Sequence, residues 1–180
     1  MAEHPREPDP IIFQTQWLAV RESPRGFQYL ERKGKDSIAV FLIRHAEDHN
    51  SWEVLVRYQH LCVDNREVDG QFNLFPCPVT GAIDGGESPE AAAVRETYEE
   101  TGYQPSLTDL GQYIVGTQTN EVCYLYYADV SGQEPSEAPQ DGTFLESIAH
   151  NQWHPFEDLK TFDYVACQLG YYRLRERLFS

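Results

Sequence analysis

The residue types best suited to chemistry lie in one segment, residues 81–103, with the sequence GAIDGGESPEAAAVRETYEETGY. A glycine-rich first half is followed by a stretch that carries several carboxylates and a single arginine. Because carboxylates held close together repel each other, such a cluster needs a cation to be stable. Magnesium and manganese suit these hard oxygen ligands and also bind substrate phosphates. The segment therefore predicts divalent-metal and phosphate chemistry.

The second half of this segment has the features of a short helix. Ser88 is a good N-cap, and Pro89 suits the first helical position, where no amide hydrogen is needed. Gly102 can end the helix with a positive φ. We therefore expect a helix from near Pro89 to Thr101.

The acids of this predicted helix lie on one side of it. Glu96, Glu99 and Glu100 are spaced by three and four residues and so share a face. We expect the opposite face to pack against the core of the protein. The residues on that face are Ala91, Val94 and Tyr98.

The spacing of the fixed residues resembles the signature of the Nudix hydrolases, G-x5-E-x7-R-E-U-x-E-E-x-G-U, where U is a bulky apolar residue. Every charged and glycine position matches, and Thr97 at the first U position is the departure. So many fixed positions at the right spacing make a specific signal. The resemblance implies hydrolysis of the diphosphate in a nucleoside diphosphate linked to another group, with Mg²⁺ as cofactor or Mn²⁺ in its place.

The resemblance also implies a set of metal ligands. Glu96 and Glu100 are implied as primary ligands, and Glu99 as a further ligand or a contact through water. Glu87 is implied to reach a metal through water. The residue before the first glycine of the signature, Thr80, is implied to contribute its main-chain carbonyl.

Two further catalytic roles follow from the resemblance. Arg95 is implied to orient the glutamates through an ion pair. The general base varies among relatives, which leaves Glu99, Glu121 and Glu146 as candidates. Glu121 lies in a polar loop between two apolar strands, residues 116–121, and an ordinary surface acid is the alternative interpretation for it and for Glu146.

Beyond the signature, residues 17–159 resemble the ADP-ribose pyrophosphatase branch of the family in the order of their segments. Arg57, at the end of a predicted strand, is a candidate for a phosphate contact. Trp17, Phe27 and Tyr29 are candidates for stacking on a base, although packing is the more common role of strand aromatics. Gly81, the first glycine of the signature, is a further candidate for substrate contact.

Two departures from that branch leave the substrate open. Residues 57–60 read Arg-Tyr-Gln-His where the branch has Arg-Gln-Tyr-Arg, and residues 77–81 read Cys-Pro-Val-Thr-Gly where it has Glu-Leu-Pro-Ala-Gly. ADP-ribose or another nucleotide-sugar is favoured, with dinucleotides and (d)NTPs as alternatives. An isopentenyl-diphosphate-isomerase-like enzyme would need a reactive cysteine, for which Cys77 is the candidate. A nucleotide-sensing domain without activity is the remaining alternative.

Composition limits the partners and the compartment. The chain has 180 residues and a formal net charge of −15 at pH 7, which argues against nonspecific binding to nucleic acid or to an anionic membrane. We see no apolar run long enough for a transmembrane helix and no secretory signal. The four cysteines are widely spaced, which favours free thiols in a reducing cytoplasm over zinc or disulfides. The partner is therefore expected to be a small-molecule nucleotide, and the resemblance allows a homodimer.

The pattern of apolar residues predicts an α+β domain. Residues 1–10 are expected to form a flexible arm, and residues 11–180 a single domain. Strands are predicted at residues 11–21, 27–32, 37–44, 52–60, 110–115, 122–130 and 146–154, and a C-terminal helix at 164–179. Residues 64–73 are expected to be a polar loop. The resemblance implies a Nudix α/β/α sandwich with a mixed β-sheet and an N-terminal antiparallel strand pair.

Overall fold

The computed structural model describes residues 8–32, 34–48, 50–61, 67–68, 71–139 and 144–179, with backbone alone at residues 67, 68, 71, 145 and 146. Most of the predicted arm at residues 1–10 therefore lies outside the described residues. The side chain of Glu146, one candidate for the general base, lies outside them as well.

The N-terminal region forms an antiparallel sheet of three strands. These are β1 (Ile11–Gln14), β2 (Leu18–Glu22) and β3 (Gln28–Arg32), paired in that order. The prediction of a single strand at residues 11–21 was wrong, because a turn divides it. The Thr15 hydroxyl accepts hydrogen bonds from the main-chain N–H groups of Trp17 and Leu18, at 3.1 and 3.2 Å. A threonine side chain that satisfies the backbone in this way competes with strand pairing.

The first part of the central sheet is contributed by residues 37–82. Its long strands are β4 (Ser37–His45) and β5 (Trp52–His60), as predicted. Where a polar loop was predicted, two short strands, β6 (Glu67–Val68) and β7 (Gln71–Phe72), pair with each other. Then β8 (Leu74–Cys77) pairs with the end of β5, and β9 (Val79–Ala82) pairs with the beginning of β4.

Helix α1 (Pro89–Thr101) follows, and then the remaining strands and helices. These are β10 (Thr108–Ile114), β11 (Val122–Asp129), α2 (Phe144–Ile148), β12 (His150–Pro155), a 3-10 helix (Phe156–Thr161) and α3 (Val165–Leu178). The main path of the sheet is β10-β11-β4-β5-β12, in which β11 and β4 are parallel and the other neighbours antiparallel. The strand predicted at residues 146–154 begins only at His150, because α2 occupies the preceding residues.

Helices cover both faces of this mixed sheet. Along β4, Ile38, Val40 and Leu42 are buried in one cluster, which contains Ala92 and Ala93 of α1. The alternate residues of β4 are buried in a second cluster, which contains residues of α3 such as Tyr171 and Leu174. A strand that is apolar on both faces needs a layer on each side. The predicted α/β/α sandwich of an α+β protein is therefore confirmed, with three N-terminal strands rather than a pair.

Candidate active site

Helix α1 is formed by the local signals that the sequence predicted. The Ser88 hydroxyl accepts a hydrogen bond from the N–H of Ala91 at 3.1 Å, and Pro89 is the first helical residue. At the other end, Gly102 adopts a φ of 75° and donates its N–H to the carbonyl of Tyr98 at 2.9 Å. Both ends of the helix are confirmed at the predicted residues.

The face of α1 that packs on the sheet differs from the predicted one. Ala92, Ala93, Thr97 and Thr101 are buried, whereas Val94 is 41% exposed. The prediction that Ala91, Val94 and Tyr98 face the core was wrong, because the acids border the buried face instead of opposing it. Thr97 is fully buried and donates its hydroxyl to the carbonyl of Ala93 at 2.7 Å.

Close contact between α1 and β9 places Glu96 against the backbone of Gly81. A Cβ atom at position 81 would lie 2.1 Å from Cδ of Glu96, so only glycine fits without displacing that carboxylate. The Glu96 side chain is 16% exposed. Burial raises the pKa of Glu96 above its ordinary value, although the ion pair with Arg95 acts in the opposite direction.

Arg95 lies at the centre of a carboxylate cluster, defined here as Glu87, Glu96, Glu99 and Arg95 itself. Its guanidinium lies 3.0 Å from Glu87, 2.7 Å from Glu96 and 3.1 Å from Glu99. It also donates to the main-chain carbonyl of Ala82 at 3.1 Å. The hydrogen bonds from Arg95 lower the pKa of Glu87. Arg95 thus ties the loop before α1 to the acids of the helix.

Glu100 lies beside a different arginine. Its Oε1 is 3.2 Å from Nε of Arg57, and both side chains are largely buried, at 14% and 8% exposure. Arg57 also donates to the main-chain carbonyl of Glu100 at 3.3 Å, and Asn151 donates to the same carbonyl at 2.7 Å. The proposed phosphate contact of Arg57 stays a prediction, since the guanidinium lies against Glu100.

The donor chemistry of this region fits a divalent cation. Within the described ranges, no group of three His, Cys, Asp or Glu side chains is arranged as a ready metal site. The cluster nevertheless holds more carboxylates than cations, and carboxylate oxygens are the ligands that Mg²⁺ prefers. Thr80, whose carbonyl was implied as a ligand, lies on β9 and accepts a hydrogen bond at Oγ1 from Gln59 at 3.0 Å.

Glu121 lines a cavity of about 170 Å³. Its carboxylate accepts hydrogen bonds from the Ser37 hydroxyl at 2.6 Å and from Arg32 at 3.0 Å. Thr80, Gly81 and Ala82 of β9 line the same cavity, and Glu96 and Arg95 contact this strand. The cavity therefore extends from Glu121 to the strand that the carboxylate cluster contacts, and the role of Glu121 as a general base stays a prediction.

The aromatic candidates of the N-terminal sheet differ in exposure. Phe27 is 72% exposed and Trp17 is 65% exposed, whereas Tyr29 is half-buried and donates its hydroxyl to Asp9 at 3.2 Å. The sheet is joined to the loop before Glu121, since the N–H of Leu30 donates to the carbonyl of Gln118 at 2.8 Å. Their contact with a nucleotide base stays a prediction.

Sequence reasoning missed several residues that contact the site. Arg32 and Ser37 donate hydrogen bonds to Glu121. Asn151 donates to the carbonyl of Glu100, and Gln59 donates to the hydroxyl of Thr80. Their partners are distant in sequence. Knowledge of the strand register would have identified Asn151, because Asn151 lies directly opposite Arg57 on the neighbouring strand.

Cys77 does not have the environment of a reactive thiol. The residue is fully buried, and burial raises the pKa of its thiol to about 12. A thiol with so high a pKa is protonated near neutral pH and is a poor nucleophile. This observation argues against the isomerase-like alternative.

Comparison with known proteins identifies the family. The NUDIX domain model matches residues 29–173, so the chain belongs to the NUDIX family, as the signature indicated. An ADP-sugar pyrophosphatase of Mus musculus is 33% identical over 128 residues, which are 66% of this chain and 55% of that protein. This chain therefore spans about half the length of that relative.

Two solved structures share the fold. The structure of an ADP compounds hydrolase aligns with a TM-score of 0.63 and 18% identity, and the alignment covers 94% of this chain and 90% of that chain. The NUDIX domain of Shewanella oneidensis NrtR, solved with ADP ribose, has a TM-score of 0.56 and 17% identity, covering 87% and 93%. At these identities the likeness shows the fold alone. No helix in the described part of the chain has the length and apolarity to cross a membrane.

Proposed function

We propose that the protein is a metal-dependent pyrophosphohydrolase that cleaves the diphosphate of a nucleoside diphosphate derivative. The observation that carries this proposal is the carboxylate cluster, in which Arg95 ties Glu96 and Glu99 of α1 to Glu87 of the preceding loop, in a member of the NUDIX family. ADP-ribose or another nucleotide-sugar is the favoured substrate, with a dinucleotide or a (d)NTP as the alternative. The similarity to an ADP-sugar pyrophosphatase supports this preference.

Magnesium is the proposed cofactor, with manganese as a substitute. Glu96 and Glu100 would hold it, with Glu99, Glu87 and the carbonyl of Thr80 as further contacts. When bound, the ion supplies positive charge for the diphosphate oxygens and promotes the ionisation of water. Glu96 lies against the backbone of Gly81 on β9, next to the Thr80 carbonyl that would be a further contact.

Two residues orient the acids. Arg95 contacts Glu96 and Glu99 and so limits the directions in which they point. Arg57 does the same for Glu100.

For the general base we propose Glu99 over Glu121 and Glu146. Glu99 lies on α1 beside the other acids, and its side chain is 44% exposed, which gives water access to its carboxylate. Glu99 would take a proton from the water that attacks one phosphorus. The bond from that phosphorus to the bridging oxygen then breaks, and the second phosphate leaves with the bridging oxygen. The Glu121 carboxylate instead accepts hydrogen bonds from Arg32 and Ser37.

A substrate panel tests the proposed reaction. The purified protein is incubated with Mg²⁺ and ADP-ribose, other nucleotide-sugars, dinucleotides or dNTPs, and the products are identified by mass. We expect AMP and ribose 5-phosphate from ADP-ribose. If another compound of the panel is cleaved faster than ADP-ribose, that compound is the better substrate and the proposed reaction class is kept. If no compound is cleaved and one still binds, the sensing alternative replaces the hydrolase.

We further propose that the protein forms a homodimer through the N-terminal sheet. We also propose that it is located in the cytoplasm. Large apolar side chains are exposed on this sheet and its turns, namely Ile11, Ile12, Phe13, Trp17 and Phe27. An apolar patch of this kind is typical of an interface. The free thiols of Cys77, Cys123 and Cys167 agree with a reducing compartment. Light scattering during size-exclusion chromatography tests the dimer, and a monomer at micromolar concentration would contradict it.

A further inference from the structure

The last turn of α1 concentrates negative charge where a helix tolerates it poorly. Glu99 and Glu100 lie near the helix C-terminus, and the turn carries no basic residue of its own. The carbonyl groups at this end already form the negative pole of the helix. Donors from other parts of the chain must therefore hold this turn in place.

Two neighbouring strands supply these donors as a pair. Asn151 on β12 and Arg57 on β5 lie directly opposite each other in the sheet, so their side chains project from the same face. Nδ2 of Asn151 donates to the carbonyl of Glu100 at 2.7 Å, and Nη1 of Arg57 donates to the same oxygen at 3.3 Å. The shorter of the two hydrogen bonds is the one from Asn151.

A second attachment follows at Gly102, two residues later. The main-chain N–H and the hydroxyl of Ser136 both donate to the carbonyl of Gly102, at 3.1 and 2.9 Å. A Cβ atom at Gly102 would collide with the Ser136 backbone, which shows how closely the two segments approach. The end of α1 is thus held from the sheet and from the segment that follows β11.

We infer that Asn151 is a positioning residue for the carboxylates of the last turn of α1. Its hydrogen bond fixes the main chain of Glu100, and Glu99 moves with the same turn. Loss of this donor removes the shorter of the two hydrogen bonds to the Glu100 carbonyl, so the main chain of this turn and both carboxylates gain freedom. The inference rests on the proposed function, since it takes these carboxylates as ligands for a metal ion.

The variants Asn151→Ala and Asn151→Asp test this role. Alanine removes the donor, and aspartate keeps the shape but points a negative oxygen at the Glu100 carbonyl. Gln152→Ala is the matched control, because Gln152 is the next exposed residue of β12 and projects from the other face of the strand. All variants are compared with the wild type by thermal unfolding to confirm that they are folded.

The primary measurement is Mn²⁺ affinity of the protein without substrate, followed by electron paramagnetic resonance. We expect about 10-fold weaker binding for Asn151→Ala, a larger loss for Asn151→Asp, and wild-type binding for Gln152→Ala. In turnover of the best substrate, kcat should fall by a similar factor while KM changes little. Amide exchange of residues 99–102 should be faster in both Asn151 variants.

The outcomes separate the inference from the proposed function. If the wild type does not bind Mn²⁺, the proposed function fails. If the wild type binds and both Asn151 variants bind equally well, the inference is wrong and the proposed function is unaffected. If Asn151→Ala unfolds, the near-isosteric Asn151→Asp decides the question, and Mn²⁺ affinity equal to that of the control would overturn the positioning role.

Discussion

Gly81 and Glu96 show how one missing side chain shapes the site. The Glu96 carboxylate occupies the space that a Cβ atom at position 81 would need. The glycine at the start of the signature is therefore required for the position of an acid that follows it by fifteen residues. This contact gives a physical reason for pairing these two residue types at this spacing.

Gly81→Ala should displace Glu96 while the fold survives, because the atoms in the way belong to the end of a flexible side chain. We expect kcat to fall at least about 10-fold, as for groups that orient metal ligands. Gly85→Ala is the control, since a Cβ atom there meets nothing within 4 Å. Equal losses in the two variants would mean that loop flexibility, and not the Glu96 contact, controls the rate.

In the metal-free protein, burial of the Glu96 carboxylate should lower the free energy of unfolding. Its pKa is raised by burial, so the folded protein binds this proton more tightly than the unfolded chain does. The stability that this group contributes is therefore lost as pH rises through the folded pKa. Glu96→Gln should raise the Tm of the metal-free protein at pH 7 and reduce the Tm gain on adding Mn²⁺. A lower Tm at pH 7 would show that the ion pair with Arg95 outweighs burial.

At the residue scale, the sequence predicted the acids of α1 and their shared side, because the helix and its spacing are local. It did not predict that Thr97 is fully buried, since the residue was treated only as a departure from the signature. The partners of Glu100, which are Arg57 and Asn151, come from strands far away in the chain. Such contacts depend on strand register, which a single sequence does not specify.

At the element scale, helix packing explains both the successes and the errors. The ends of α1 were predicted because Ser88 and Gly102 act on adjacent residues. Its buried face was wrongly predicted, because the face opposite the acids was assumed to meet the sheet. The small residues Ala92 and Ala93 meet it instead, and this brings Glu96 against β9 and Glu100 against β5. The turn at Thr15 was missed because the residues around it have strand-like types.

Helix α3 approaches β4 closely at Gly170. A Cβ atom at this position would lie 2.2 Å from Cζ of Phe41, whose ring is fully buried. Gly170→Ala should therefore destabilise the protein by about 1–3 kcal/mol, despite the better helix propensity of alanine. Chemical denaturation measures this difference. Tyr172→Ala is the control, because Tyr172 is 61% exposed on the same helix, and a similar loss there would contradict the packing argument.

At the scale of the whole molecule, the two helical layers and the charge distribution set the conditions for binding. The apolar run of β4 predicted a strand buried on both faces, and the two core clusters confirm it. The net charge of −15 repels a nucleotide at long range. In the proposed function, a cation at the carboxylate cluster and the arginines near it overcome this repulsion. We therefore expect the affinity for a nucleotide to fall sharply when divalent ions are removed.

The most direct test of a metal-dependent pyrophosphohydrolase compares the wild type with Glu100→Gln on the panel compound that is cleaved fastest. Glutamine keeps the shape of the side chain and removes the charge of a proposed ligand. We predict Mg²⁺-dependent cleavage by the wild type, its loss on chelation with EDTA, and a fall of several orders of magnitude in kcat for a folded variant. Wild-type turnover by Glu100→Gln, or turnover that EDTA does not affect, would contradict the proposed function.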